Sequence, residues 1–251
     1  MQKIVTAIVK GGSGKTSTAL AIAQAAAHAG RRVLAIDLDP QANFSYSLCA
    51  DMGQPGAADM LHGATAADVI QQTPQGIDTI TGSAALMTEE TAKGSIRRLA
   101  NFLAPLERRY DVCVMDTPTT VGETTYNALA AGTDLIIPMH AAPFDIVGLI
   151  HVINLCSMMT EAGVYGIRRR GIVLTEYNDR AKIDQHTREE IEEMAAQNHI
   201  PILGTIRRGV AIPESQAWRR SLYDHAPRSN PAIDYMAIYT RIITGKNKKS
   251  Y

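Results

Sequence analysis

Ile4-Val5-Thr6-Ala7-Ile8-Val9-Lys10-Gly11-Gly12-Ser13-Gly14-Lys15-Thr16-Ser17 is the stretch that decides how this chain folds. An apolar run leads into a glycine-rich loop, and an Ala/Leu-rich segment from Ser17 to Ala29 follows. Strand, glycine loop and helix in that order form the context a phosphate-binding loop needs. Gly11, Gly12 and Gly14 let backbone N–H groups, Ser13 among them, turn inward and meet phosphate oxygens with no Cβ between. The start of the following helix, at Thr16 and Ser17, adds its positive end. Lys15 suits the β- and γ-phosphates, and the Thr16 hydroxyl suits Mg²⁺. Val9 stands where the standard pattern has glycine, and Lys10 adds a second lysine at the loop mouth. The competing reading is a plain glycine-rich turn before a helix.

Two further apolar runs end in acids. Val33-Leu34-Ala35-Ile36 leads to Asp37-Leu38-Asp39-Pro40, and Val112-Cys113-Val114-Met115 leads to Asp116. Asp37 and Asp39 are two apart, so they share a face of an extended segment. Ligands of open α/β sheets collect at the carboxyl ends of parallel strands. Carboxylates beside a bound phosphate repel it unless a cation intervenes, which pairs Mg²⁺ with Thr16 and Asp116. One acid is then free to orient water for attack on the γ-phosphate. The alternative is that Asp37 or Asp39 only caps a turn before Pro40.

These motifs resemble the ParA/MinD superfamily of ATPases with its deviant Walker A box, closest to the small, Soj-like ParA proteins of DNA partition. Val33–Asn43 is similar to that family's box after the second strand, and Val112–Pro118 to its Walker B strand and switch. The likeness runs on through Ala128–Ala131 and Leu135–Pro138 to a C-terminal helix near 230–244. The resemblance implies an ATPase using ATP and Mg²⁺, with Lys10 reaching the partner's nucleotide in a homodimer. It makes Lys10, Lys15 and Asp39 catalytic, with Asp39 positioning the water, and gives Thr16, Asp39 and Asp116 to the metal. It places Asn178 and Arg207 near the base. Non-specific duplex DNA and a ParB-like centromere-binding protein are the implied partners. The chain departs from the family in three places: Ile8-Val9 replaces a polar pair, Arg207 stands where many relatives have proline, and Asn178 matches MinD rather than the aspartate common in ParA.

The chain has 251 residues, 45% of them hydrophobic, which suits one α/β domain over 1–251 with a P-loop NTPase fold. Alternating elements imply a mostly parallel, twisted sheet with helices on both faces. Strands are predicted near 3–9, 32–37, 77–81, 111–116, 134–138, 170–175 and 202–206. Helices are predicted near 16–29, 89–104, 124–131, 145–162, 182–197 and 231–244. No run of 18 apolar residues occurs, and Met1 leads directly into the first strand, so neither a membrane span nor a signal peptide is expected. Cys49, Cys113 and Cys156 lack metal-pair spacing. A cytoplasmic, nucleoid-associated protein is the expectation.

The net charge is zero, but residues 199–251 carry nine Arg/Lys against three acids, while residues 1–166 carry ten against fifteen. That skew fits a polyanion such as DNA, with Arg219 and Arg220 beside Trp218 the first candidates, then Arg208, Lys246, Lys248 and Lys249. The alternative is a solvated face ending in a flexible basic tail at 246–251. Within the superfamily, a MinD-like membrane-associated positioning ATPase is the runner-up. Such a protein wants an apolar stripe on its basic terminal helix, and Lys246–Tyr251 has none. An iron-sulfur reading lacks cysteines in context, and a tyrosine-kinase reading lacks a tail of tyrosines.

Overall fold

The computed structural model describes residues 1–89 and 95–245. β1 (Gln2–Thr6) enters the glycine loop, which opens α1 (Lys15–His28), and β2 (Val33–Asp37) follows. Three short helices come next, α2 (Asn43–Ser47), α3 (Ala57–Leu61) and α4 (Ala66–Val69), then β3 (Gln71–Gln72) and β4 (Asp78–Ile80). After α5 (Leu86–Glu89) and α6 (Arg98–Leu103) the chain forms β5 (Val112–Asp116), α7 (Glu123–Ala131) and β6 (Asp134–His140). The long α8 (Pro143–Glu161) leads to β7 (Arg169–Tyr177), α9 (Lys182–Gln197) and β8 (Ile202–Arg207). Two short helices, α10 (Ala211–Ala217) and α11 (Leu222–His225), precede α12 (Asn230–Thr244).

The strands form one eight-stranded sheet in the order β3-β4-β2-β5-β1-β6-β7-β8. Every pairing is parallel except β3 with β4. The chain builds outward from β1 in both directions, so a topological switch lies at its centre, where such sheets bind ligands. Alternation along the inner strands feeds two cores. Ile4, Val33, Ala35, Val112 and Val114 face α1 and α12, while Val5, Leu34, Ile36, Cys113 and Met115 face the other helical layer. The alanines of α1 let it sit close on the sheet, and the Thr18 hydroxyl shares a 2.9 Å hydrogen bond with that of Tyr235 on α12.

The predicted fold class holds, with corrections in detail. The first strand stops at Thr6, because Ala7 to Ser13 turn into the loop. The single helix expected over 89–104 is instead α5 and α6, with 90–94 outside the described residues. The short helices α2, α3, α4, α10 and α11 were not expected; none is longer than seven residues, too short to carry a clear 3.6-residue period. The expectation about membrane spans also needs amending. By length and composition α8 is apolar enough to cross a bilayer, even though Asp145 and His151 interrupt it. It packs Leu149, Val152, Leu155, Cys156 and Met159 into the core. At the sheet edge, α12 covers β8. The Asp234 carboxylate accepts the Arg207 N–H at 3.0 Å, and Arg241 donates to the Leu203 carbonyl, which blunts the open strand.

Candidate functional site

At the carboxyl ends of β1, β2 and β5 the register aligns Thr6, Asp37 and Asp116 side by side. Both acids are fully buried. Asp37 accepts from the Ser45 N–H at 2.8 Å, the Ser45 hydroxyl at 2.7 Å and the Asp39 N–H at 3.1 Å. Its carboxyl is pushed up by burial, against those hydrogen bonds. Asp116 accepts from the Thr6 hydroxyl at 3.1 Å, yet its Oδ2 has no hydrogen-bond partner; the nearby Thr16 hydroxyl acts to lower its pKa. Burial first, and then the neighbouring Asp37, raises its pKa well above the carboxylate range. A buried carboxylate oxygen without a hydrogen-bond partner, beside a P-loop threonine, is a donor suited to a cation.

The loop is built as its glycines demand. Gly12 at φ 75° and Gly14 at φ 88° lie in the left-handed region, where a Cβ is strained. A Cβ on Gly14 would also press on Thr175 at 3.3 Å, and the Thr175 hydroxyl donates to the Ser13 carbonyl at 3.0 Å. Lys15 is buried, its ammonium donating to the Lys10 carbonyl at 2.9 Å. Burial lowers its pKa, while Asp116 and Asp39 oppose that shift. Lys10 reaches away from the loop and pairs with Asp145 in the first turn of α8. Asp145 is wholly buried and also accepts the His140 N–H at 2.8 Å.

A cavity of about 690 Å³ opens over the loop, within the range of small-molecule sites. Gly12, Gly14, Lys15, Thr16, Ser17 and Asp39 line its phosphate end. Glu176, Ile206, Arg207, Arg208, Ile212 and Pro213 line the other. Among the described residues no three His, Cys, Asp or Glu side chains form a metal cage of their own. That donor set suits Mg²⁺, which takes one or two protein oxygens and fills its shell from water and phosphate.

The structure gathers most of the residues nominated from sequence and sets others apart. Asp39 is half-buried, and its Oδ1 accepts the Gln41 N–H at 2.8 Å, so it caps a turn and borders the cavity at once. Lys10, Gly11 and Ser13 sit in the loop outside the cavity lining. Arg207 lines the cavity but is held by Asp234 at 2.8 Å. Asn178 does not line it; its side-chain oxygen accepts the Arg180 N–H at 3.1 Å in a local turn. Of the DNA candidates, Arg208 belongs to the nucleotide cavity. Arg219 is tied into the fold, with Nε on the Tyr46 carbonyl at 3.0 Å and its guanidinium 4.6 Å from the Tyr46 ring centroid. Arg220 is exposed, and Lys246, Lys248 and Lys249 lie outside the described residues.

Several members of the site were missed from sequence. Asp145 left one signal, an acid inside an apolar helix. Ser45 and Gly82 left none: a Cβ on Gly82 would come within 3.0 Å of the Asp37 carboxyl, a closeness only the folded chain reveals.

Comparison with known proteins fits this geometry. The AAA domain family matches residues 1–164. The virulence plasmid ParA family protein pGP5-D of Chlamydia muridarum is 30% identical, covering 100% of this chain and 97% of its own length. The chromosome partitioning protein ParA of Myxococcus xanthus is 26% identical over 96% of this chain and 87% of its own. In three dimensions the chain resembles apo McdA of Cyanothece, with a TM-score of 0.87 at 19% identity over 97% and 99% of the two chains. With its P-loop, paired strand-end acids and second loop lysine, the chain belongs to the ParA/MinD superfamily of ATPases, close to the Soj-like partition proteins.

Proposed function

We propose that this chain is an ATP-driven partition ATPase that dimerises on ATP and Mg²⁺ and binds duplex DNA without sequence preference as the dimer. The single observation that carries the nucleotide reading is the buried, unpartnered Asp116 Oδ2 at the end of β5, close enough to the P-loop Thr16 for its hydroxyl to lower the Asp116 pKa. Thr16 and Asp116 would hold Mg²⁺, which supplies neutralising charge at the β- and γ-phosphates when bound. The backbone of Gly12 to Thr16 cradles the phosphates, and Lys15 neutralises them from inside the loop. Asp39, at the cavity edge, orients the attacking water. Lys10 leaves Asp145 to meet the second subunit's triphosphate, so dimerisation and nucleotide share one lysine.

The names of the Myxococcus and Chlamydia relatives support DNA partition. A ParB-like protein bound to DNA would stimulate hydrolysis, and the switch from Thr117 to Thr125 would carry the signal. Arg208, Arg219, Arg220 and the Lys246, Lys248 and Lys249 tail are the sequence's candidates for DNA, and the protein would work in the cytoplasm on the nucleoid. The MinD-like alternative draws on one observation, the exposed Phe144, Val147 and Ile150 along α8. Calorimetry on Lys15→Ala tests the nucleotide reading: Mg-ATP binding should vanish, and wild-type affinity in that variant would refute it.

A further inference from the structure

At the amino end of the sheet the starts of β2, β5, β1, β6 and β7 lie side by side. Three loops feed arginines into this row: Arg31-Arg32 before β2, Arg108-Arg109 before β5, and Arg168-Arg169-Arg170 at the start of β7. Backbone hydrogen bonds tie these loops to their neighbours. The Asp111 N–H donates to the Arg32 carbonyl at 2.9 Å, and the Arg168 N–H to the Thr133 carbonyl at 2.8 Å. With strands about 4.8 Å apart, the row from β2 to β7 spans roughly 19 Å. That length faces about eleven phosphate charges along a duplex axis.

Carboxylates neutralise part of the row and hold it in shape. Arg32 pairs with Asp111 at 2.8 Å, Arg109 with Asp78 at 3.4 Å and Arg169 with Asp134 at 2.6 Å. Arg108, Arg168 and Arg170 have no carboxylate partner among the described residues. A cavity of about 260 Å³ opens beside Arg168 and Arg170, bordered also by His199, Arg241 and Gly245. No reading of a single segment finds this face, because its arginines come from three separate loops that together span more than a hundred residues of sequence.

We propose that this amino-end arginine face binds the phosphate backbone of duplex DNA, on the end of the sheet opposite the nucleotide cavity. The proposal rests on the DNA-partition reading and moves its contact surface away from Arg219. A lipid surface fits less well, since the exposed apolar run Phe144, Val147 and Ile150 sits in the first half of α8, toward the other end. Because the face is remote from the phosphates, ATP controls DNA binding by joining two such faces in one dimer, through valency.

The test uses the full chain with a non-hydrolysable ATP analogue, unrelated 40-base-pair duplexes, and a salt titration. Arg108 and Arg168 are both exposed, so Arg108→Ala with Arg168→Ala should leave the melting temperature and nucleotide affinity as they are. The expected result is weaker binding to every duplex, with the salt slope reduced by about two per protomer, near 0.9 for each lost phosphate contact. Charge reversal at the same positions should abolish binding. An unchanged slope in the alanine variant, with binding lost in Arg219→Ala/Arg220→Ala, would overturn this placement and leave DNA partition standing. Failure of the unmodified chain to bind any duplex at low salt would sink both. Sedimentation with phosphatidylglycerol vesicles that requires Arg108 and Arg168 would hand the face to a membrane instead.

Discussion

The two ends of the sheet solve opposite electrostatic problems with opposite means. At the carboxyl end, Asp37, Asp116 and Asp145 are wholly buried; Lys10 pairs with Asp145, and Lys15 acts electrostatically on Asp116. At the amino end, the charges are arginines, mostly exposed, and each acid there has an arginine or lysine close by. Buried charge is sensitive to a single proton or ion, because little water screens it. Exposed charge is screened and acts through number. One end therefore fits the proposed nucleotide site and the other the proposed contact with a polymer.

The largest expected effect lies at the carboxyl end. Thr16→Ala or Asp116→Asn should reduce ATP hydrolysis by roughly a hundredfold or more, since each removes a group aimed at developing charge in a water-poor site. Steady-state phosphate release measures it, and near-normal turnover in both variants would break the assignment of this end to catalysis. The same Asp116 carries a pH signature. An acid whose pKa rises on folding contributes stability that is complete below the ordinary carboxylate range and is lost as pH climbs to the folded value, for Asp116 about 8. Between pH 5 and 8 the nucleotide-free chain should therefore lose stability more steeply than Asp116→Asn, by urea titration. No comparable slope should come from the amino end, where Asp111 is held below the usual carboxylate range by Arg32 and stays ionised throughout.

Next in size is the lysine that bridges loop and α8. Lys10→Ala leaves the buried Asp145 with the His140 N–H as its remaining hydrogen bond, a loss of about 1–3 kcal/mol. Adding Asp145→Asn should return most of that stability, because an amide tolerates burial that a carboxylate does not. Asp145→Asn alone should free Lys10 and shift ATP-dependent dimerisation to lower protein concentration, read by light scattering. A double variant no more stable than Lys10→Ala would show that the pair does not matter to the fold.

The carboxyl end was legible in the sequence because its chemistry is local. Lys10 to Ser17 are consecutive, Asp37 and Asp116 each close an apolar strand, and Asp39 follows Asp37 by two, so their types and spacing announce them. The register that sets Asp37 against Asp116 was not legible, since it depends on β5 inserting between β2 and β1. Nor was Asp145, which reaches Lys10 across 135 residues of sequence. The amino end poses a different problem. A count along the chain found a basic C-terminal region and pointed to Arg219, whereas the arginines that gather in space are spread from Arg31 to Arg241. Charge excess in a segment and charge density on a surface are different quantities, and only topology converts one into the other.

The smallest effect separates the two arginines that the sequence paired. Arg219 is held at φ 51°, a left-handed conformation that non-glycine residues rarely adopt, so its surroundings must be fixing it. Its Nε donates to the Tyr46 carbonyl, its guanidinium lies over the Tyr46 ring, and its own carbonyl accepts from Gln75 at 3.2 Å. Loss of the stacking and one hydrogen bond in Arg219→Ala should cost about 1–2 kcal/mol. In a chain of this length that lowers the melting temperature by roughly 2–8 °C. The exposed side chain of Arg220 makes no such contacts, so Arg220→Ala should melt within a degree or so of the unmodified protein. Neither single variant should alter the salt slope of DNA binding if the polymer sits at the amino end. Equal melting temperatures for the two variants, together with a flattened slope in both, would return the DNA surface to Arg219 and Arg220 and remove the contrast between the two ends of the sheet.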